Sequence, residues 1–308
     1  MKIAIQMDEI SKINVVGDTS FALMLEAQNL GHDLYYYTPD KLSVIDKKVY
    51  AWVYPIKVYD RVQNYYSLGD LQKVDLASMD VILLRQDPPF DMNYITTTHI
   101  LDFISKEVLI LNDPFWVRNS PEKLFVMEFP YFMPKTLVAR DVKDVLEFRA
   151  AVGDVIIKPL YGNGGAGVFY LKIGDKNLNA LIELFDQYYS QPFVVQEYLP
   201  EVSNGDKRII LVDGVVAGAL NRIADSKDIR SNMHVGGKAV AANITDEENG
   251  ICDAIGPWLR ERKLYLTGID VIGGKITEIN VTSPTGVREI KKFGGCDIAQ
   301  LFWQKIEK

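Results

Sequence analysis

Three oxygen-bearing side chains fall close together in the last forty residues. In Thr277-Glu278-Ile279-Asn280-Val281-Thr282-Ser283-Pro284 an extended strand puts Glu278 and Asn280 on one face and turns Ile279 and Val281 toward a core. Eight residues before Glu278, Asp270 interrupts the apolar run Gly268-Ile269-Asp270-Val271-Ile272, and Gly273-Gly274 can turn one strand back on the other. Two carboxylates and a carboxamide oxygen are hard donors suited to Mg²⁺, with Mn²⁺ as the alternative ion. A lone acid in a strand is ordinarily an edge residue facing water. Two adjacent strands that both break their apolar runs with such donors point to a metal instead.

A second chemistry-bearing segment is Val155-Ile156-Ile157-Lys158-Pro159-Leu160-Tyr161-Gly162-Asn163-Gly164-Gly165-Ala166-Gly167-Val168. A β-branched strand ends in Lys158, then four glycines fall within six residues, then a new strand begins. Glycines at Gly164 and Gly165 let backbone N–H groups approach phosphate oxygens, and Lys158 adds a point charge. No Gly-Lys-Ser/Thr and no Gly-x-Gly-x-x-Gly after the first strand is present. Taken alone, the loop also reads as an ordinary β-turn. Val194-Val195-Gln196-Glu197-Tyr198-Leu199-Pro200 offers a strand edge and a short linker for an adenine ring, or simply a buried strand.

Cations complete the set. Arg85 emerges from the apolar run before Asp-Pro-Pro, where it suits either a salt bridge with Asp87 or a bidentate clamp on a substrate carboxylate. Arg208 begins a strand beside Asp206 and Lys207, a position that by default is a solvated face. Arg222 and Arg230 flank an irregular polar stretch over 223–237, too long for a plain connection, and can place positive charge near a phosphoryl intermediate. Arg288 reads as a helix-surface residue, and His32, His99 and His234 suggest no catalytic role.

These residues need a scaffold. Over the first ~120 residues strands (2–7, 33–38, 81–85, 108–111) alternate with helices (19–30 and 93–105), the pattern of a doubly wound parallel sheet. Asp18 or Thr19 caps the first helix and Gly31 stops it. Asp8, Arg85 and Asn112 then stand at carboxyl ends of strands, where ligands gather in such sheets. Ser120-Pro121-Glu122 signals a helix start with a capping serine, placing Lys123 one turn in. From 135 to 200 short strands and helices at 142–151 and 176–189 suggest an α+β lid. Strands at 207–212 and 215–222, a helix at 246–263, the two metal strands and a helix at 298–308 close the chain. The expected domains are 1–120, 121–200 and 201–308.

Bulk properties narrow the function. A 308-residue chain with 48% apolar and 24% charged residues has ample material for more than one core. A net charge of −7, with no dense Lys/Arg cluster, argues against nucleic acid as a partner. No apolar run approaches a membrane span, and the first strand reaches an acid too soon for a signal peptide. Cys252 and Cys296 are far apart and read as packing residues, which fits a reducing cytoplasm.

In this order the segments resemble the ATP-grasp superfamily of carboxylate–amine ligases, and within it the bacterial glutathione synthetases. The resemblance runs nearly end to end and rests on Met7-Asp8, Leu84-Arg85-Gln86-Asp87-Pro88-Pro89-Phe90-Asp91, Glu122-Lys123-Leu124-Phe125, Lys158-Pro159-Leu160, Gly205-Asp206-Lys207-Arg208 and Glu278 to Thr285. It implies an N-terminal substrate domain, an ATP-grasp lid and a catalytic domain that join γ-glutamylcysteine to glycine through an acyl phosphate. It also implies roles: Asp270, Glu278 and Asn280 for the metal; Lys123, Lys158, Gly164, Gly165, Glu197, Tyr198, Leu199 and Asp206 for ATP. Asp8, Arg85, Ser283 and Thr285 would bind the dipeptide, and Arg208, Arg222 and Arg230 would steady the acyl phosphate. A homo-oligomer, tetramer or dimer, is expected. Where relatives often carry a glycine pair in the lid, this chain has Asp225-Ser226-Lys227-Asp228, and Tyr161 stands where an acid is common. Two other readings stand beside this one: an ATP-grasp ligase for a different peptide or amino acid, and a nucleotide-binding protein without catalysis.

Overall fold

The computed structural model describes residues 1–224 and 236–307. Arg230, His234 and Asp225 to Asp228 lie outside the described residues.

The N-terminal sheet holds β1 (Lys2–Gln6), β2 (Asp33–Tyr37), β3 (Leu42–Ile45), β4 (Lys48–Val58), β5 (Tyr66–Leu68), β6 (Gln72–Asp75), β7 (Val81–Leu84) and β8 (Leu109–Leu111), with α1 (Thr19–Asn29) and α2 (Met92–Asp102) as crossovers. The path runs β3-β4-β2-β1-β7-β8, and β2, β1, β7 and β8 are mutually parallel as the alternation predicts. Asp18 caps α1 by accepting the Phe21 N–H, and Gly31 leaves the helix at φ 80°. The segment 42–75, to which the alternation assigned no elements, adds an antiparallel extension built on the long β4. In β4, Val49, Ala51 and Val53 point inward while Trp52 is exposed, the period of a half-buried strand.

After α3 (Pro114–Asn119) comes α4 (Glu122–Phe125). Ser120 ends α3 instead of capping α4: Pro121 occupies the cap position, and the buried Ser120 hydroxyl has no hydrogen-bond partner among the described residues. A second sheet, ordered β11-β10-β12-β9, contains β9 (Thr136–Ala139), β10 (Val155–Pro159), β11 (Phe169–Leu171) and β12 (Phe193–Glu197), with α5 (Val142–Val152) and α6 (Leu178–Tyr188). It has a core of its own, made by Val145, Val155, Ile157, Ile182, Phe185 and Val195.

The third sheet is ordered β15-β14-β13-β16-β17: β13 (Asp206–Val212), β14 (Val215–Ile223), β15 (Lys238–Ala241), β16 (Leu266–Ile272) and β17 (Lys275–Asn280). Helices α7 (Asp246–Glu261), α8 (Val287–Lys292) and α9 (Ile298–Ile306) accompany it. A Thr245–Glu248 capping box starts α7. Unlike the second sheet, this one shares its cores with the first. Ile82, Leu84 and Tyr94 cluster with Ile209, Ile269 and Ile279, while Ile3, Ile5 and Phe21 cluster with Ile210, Leu220 and Trp303.

One side chain ties these two sheets directly. Asn112, just past β8, donates to the carbonyls of Leu266 (2.8 Å) and Val281 (2.7 Å) and accepts the Leu266 N–H (2.8 Å). All three bonds are buried, so the residue that sequence position placed among ligand-facing strand ends is a fastener between sheets. Asn112→Ala strips partners from three buried backbone groups and should lower unfolding free energy by about 2–4 kcal/mol. Urea denaturation of the ligand-free protein measures it.

Candidate functional site

One cavity of about 950 Å³ opens where the three sheets meet. Apart from Asn112, every described residue that the sequence singled out for metal, nucleotide or substrate lines it; Arg230 lies outside the described residues. The elements explain the convergence. Strands β16 and β17 pair Asp270 opposite Glu278 and Gly268 opposite Asn280, and Gly273 and Gly274 close the hairpin at φ 56° and 73°. Glu278 and Asn280 share the face opposite the fully buried Ile279.

Around Glu278 the charge is concentrated. Lys158 Nζ donates to Glu278 Oε1 at 3.2 Å, and Lys123 Nζ approaches the same oxygen at 3.7 Å while donating to the Gly162 carbonyl. Burial works to raise the Glu278 pKa, but the two ammonium groups outweigh it and hold the carboxyl below its usual value. Lys123 thus fastens α4 to the glycine loop, where Gly164, Gly165 and Gly167 adopt φ of 61°, 80° and 70°. At Gly167 any side chain would also collide with the Pro159 ring, 2.8 Å from its Cβ.

Beside it lies a buried network of four charges. Arg208 forms a two-pronged pair with Asp270 (Nε–Oδ1 2.5 Å, Nη2–Oδ2 2.9 Å), and Arg222 bridges Asp206 (2.6 Å) and Asp270 (3.0 Å). Burial opposes ionisation of Asp270, yet Arg208 and Arg222 together keep its carboxyl well below the carboxylate range. Burial dominates at Asp206 and pushes that carboxyl up, whereas the two acids raise Arg222 against the effect of burial. The solvated face expected by default for Arg208 is therefore replaced by a buried ion pair. Gly268 makes room for it, since a Cβ there would come within 2.9 Å of Arg208 Cδ.

A divalent cation fits part of this donor set as it stands. Asn280 spends its Nδ2 on Gly268 O and Asp270 Oδ2, which leaves Oδ1 as an acceptor, and Glu278 keeps Oε2 outside its lysine contacts. Asp270 has both oxygens on arginines. Among the described residues no three His, Cys, Asp or Glu side chains cluster as a metal site, so any cation here uses the mixed carboxylate–carboxamide set.

At the nucleoside-type end, Glu197 Oε2 accepts the Lys135 N–H at 3.2 Å, Tyr198 packs on Tyr170 with centroids 4.2 Å apart, and Leu199 opens a short 3₁₀ turn. Ile156, Val202 and Ile272 add apolar lining.

On the N-terminal side, Arg85 is buried, at 5% exposure. Its Nε donates to Ser20 Oγ (3.0 Å) and its Nη2 to the Pro284 carbonyl (3.2 Å). The salt bridge to Asp87 does not form: Asp87 instead accepts the Ser283 hydroxyl, and its N–H donates to Asp8 Oδ2 at 2.7 Å. Burial lowers the Arg85 pKa, opposed at longer range by Asp18 and Asp87. Two of five guanidinium donors are thus used by neutral groups, and no described carboxylate pairs with the cation. Thr285 reaches the cavity with its carbonyl 3.4 Å from Arg208 Nη1.

The sequence reading gave no site role to four acids that line the same cavity: Glu9, Asp18, Glu122 and Glu289. Asp18 and Glu122 had helix-start signals that account for them fully in one dimension. Glu122 accepts the Thr282 hydroxyl at 2.9 Å, a contact across 160 residues that no local pattern announces, and burial pushes its carboxyl up. Arg288 pairs with Asp60 at 2.6 Å, away from the chemistry, as a surface residue should.

Comparison with known proteins fits this geometry. Residues 1–118 match the model of the prokaryotic glutathione synthetase N-terminal domain, and residues 122–295 match that of the prokaryotic glutathione synthetase ATP-grasp domain. The chain belongs to the prokaryotic glutathione synthetase family. A glutathione synthetase of Mesorhizobium japonicum is 58% identical over 307 residues, covering 100% of this chain and 98% of that protein. One from Shewanella oneidensis is 41% identical over 309 residues with the same coverage. Among solved structures, D-cycloserine synthetase DcsG aligns with TM-score 0.70 at 13% identity over 99% of this chain and 98% of its own. A RimK domain ATP-grasp protein from Sphaerobacter thermophilus aligns with TM-score 0.62 at 15% identity over both full lengths. These two likenesses concern the ATP-grasp fold alone. The glutathione synthetases align over the whole chain, through both family domains.

The four-charge network also makes a stability prediction. Asp270→Asn leaves Arg208 and Arg222 buried against one remaining acid. Breaking a buried pair from one side costs about 3–5 kcal/mol, so the ligand-free variant should lose stability on that scale in chemical denaturation.

Proposed function

We propose that the chain ligates γ-glutamylcysteine to glycine, forming glutathione, ADP and phosphate. Membership in the family supports this reading. The single structural observation that carries it is the convergence of Lys123 and Lys158 on Glu278, beside the Arg208–Asp270–Arg222 network. Such an array has cations ready to pass from protein carboxylates to phosphate oxygens when a nucleotide enters.

In this reading the γ-phosphoryl of ATP passes to the cysteinyl carboxylate of the dipeptide. The bond to the β-phosphate oxygen breaks, ADP leaves and an acyl phosphate forms. The glycine amine adds to the acyl carbon, and phosphate departs with the C–O bond electrons as the amide forms. Positioning and charge neutralisation supply the rate, with no nucleophilic side chain. Lys123 and Lys158 hold phosphates, backbone N–H groups at Gly164 and Gly165 approach them, and Glu197, Tyr198 and Leu199 border the nucleoside. Arg208 and Arg222, with Arg230 from outside the described residues, balance charge on the acyl phosphate and the tetrahedral intermediate. Asp206 holds Arg222 in place. Arg85 receives a dipeptide carboxylate, Asp8 orders the adjoining backbone, and Ser283 and Thr285 border the reacting group. Glu278, Asn280 and, once released by its arginines, Asp270 would hold Mg²⁺ or Mn²⁺. When bound, that ion neutralises phosphate charge.

A cytoplasmic setting and a homo-oligomeric assembly, dimer or tetramer, belong to the same proposal. Two unpaired cysteines are compatible with the former, and no described helix is long and apolar enough to cross a membrane.

Phosphate release across a panel of dipeptides and amines tests the assignment. It should be greatest with γ-glutamylcysteine plus glycine, with glutathione as the product by mass spectrometry. Equal turnover of an unrelated dipeptide would make the chain a different ATP-grasp ligase. Glu278→Gln keeps volume but removes the charge that faces both cation and lysines, and should lower kcat by about two orders of magnitude or more with the fold intact. Near-normal turnover at limiting Mg²⁺ would remove Glu278 from the metal set. Arg85→Lys keeps charge but loses the planar fork. It should cost kcat/KM for γ-glutamylcysteine about 1–3 kcal/mol while the KM for ATP hardly moves. Equal damage to both substrates, or early melting by circular dichroism, would make Arg85 structural.

A further inference from the structure

The cavity contains an unmatched acid as well as an unmatched base. Glu289 lies in the first turn of α8 and lines the cavity. Its Oε2 is buried and takes no hydrogen bond from any described residue. Arg288 and Lys292 favour its charged form only at longer range: no salt bridge reaches Glu289, since Arg288 pairs with Asp60 and Lys291 with Asp297. Burial pushes the Glu289 carboxyl up, and the longer-range pull of Arg288 and Lys292 does not cancel it.

Position gives the unmatched acid a meaning. Glu289 lies against Gly17, where an added Cβ would sit 2.7 Å from Oε1, so the loop before α1 leaves space for this carboxylate. Gly17 precedes Asp18, and Ser20 in the same stretch holds Arg85. The other acids nearby have donors: Asp18 accepts the Phe21 N–H and Asp8 accepts the Asp87 N–H. Arg85 and Glu289 form no ion pair with each other. One cavity thus holds a guanidinium in salt-bridge contact with no described carboxylate and a buried carboxylate oxygen that takes no hydrogen bond from any described residue.

We propose that Glu289 binds the α-ammonium group of the γ-glutamyl end of the dipeptide, while Arg85 takes the α-carboxylate on the same carbon. This rests on the ligase reading above. A zwitterionic amino-acid head presents one charge of each sign from a single tetrahedral centre, which matches the two unpaired groups. Free glycine is a zwitterion too, but its amine must lose a proton to attack, and an ammonium pinned to a carboxylate is no nucleophile. The γ-glutamyl head takes no part in bond making and can stay fully charged.

The test is steady-state kinetics of Glu289→Gln with γ-glutamylcysteine and with glutarylcysteine, which lacks only the α-amino group. A lost charge-assisted contact should raise the dipeptide KM about ten- to a hundredfold, with kcat and the KM values for glycine and ATP little changed. Wild type and variant should handle glutarylcysteine alike, because that substrate has no ammonium to lose. Removing a half-buried charge that takes part in no salt bridge should leave the melting temperature of the ligand-free protein unchanged or raised. The inference is overturned if the dipeptide KM is unaffected, if the loss falls on glycine, or if glutarylcysteine suffers equally. A lower melting temperature would assign Glu289 a structural role, and Glu289→Asp, which keeps the charge, should then fail to restore discrimination between the two substrates. A wild-type chain that makes no glutathione would instead remove the ligase reading, a result separate from an active wild type that the variant equals.

Discussion

Burying five basic side chains around one cavity is the constraint on which the rest of this structure depends. Lys123, Lys158, Arg85, Arg208 and Arg222 are each less than a tenth exposed. A buried cation without a partner is costly, and the fold meets that cost by bringing carboxylates from distant strands to four of the five. Glu278 serves both lysines; Asp270 and Asp206 serve Arg208 and Arg222. These partners come from β10, α4, β13, β14, β16 and β17, so the charge pattern can be satisfied only if the second and third sheets meet as they do. In the proposed reaction, nucleotide chemistry draws on the same side chains that hold the fold together.

That double use fits the proposed chemistry. A site that awaits polyanionic phosphate must remain folded before the phosphate arrives. Protein carboxylates act as stand-ins, and ligand entry exchanges one set of charge pairs for another instead of creating pairs from nothing. Arg85 is held differently, by a hydroxyl and a carbonyl, which position the guanidinium without neutralising it. Neutral acceptors keep its charge available.

Much of this was legible in one dimension. The alternation around Glu278 and Asn280, the diglycine turn after Ile272 and the parallel character of the sheet that holds β1, β2, β7 and β8 all follow from patterns that local sequence displays. The antiparallel extension on β4 was not read, because its strands are short, half-buried and separated by polar turns. Ser120 shows why a local signal can fail: serine and proline before an acid suggest a cap, but the chain buries that serine as the end of the preceding helix. Asn112, Glu122 and Glu289 were missed as to role for one shared reason. Their meaning lies in contacts or vacancies 150 or more residues away in sequence, and such partners leave no trace in spacing. The charge network was half visible: the residues were named, but pairing of Asp270 with two arginines emerges only when β13, β14 and β16 are laid side by side.

The distribution of the apolar cores has a mechanical consequence. The first and third sheets share two clusters and are further joined by Asn112, so separating them would expose both cores at once. The four-stranded sheet has a private core and joins the remainder of the chain through short connections beside Pro134 and Pro200. Rotation about those two connections leaves the three apolar clusters intact and parts the Phe90–Tyr161 ring stack and polar contacts such as Lys123 to the Gly162 carbonyl and Lys158 to Glu278. The molecule is thus a jaw with one heavy, fused half and one light half. A swing of the light half would therefore open the cavity at lower cost than parting the first and third sheets.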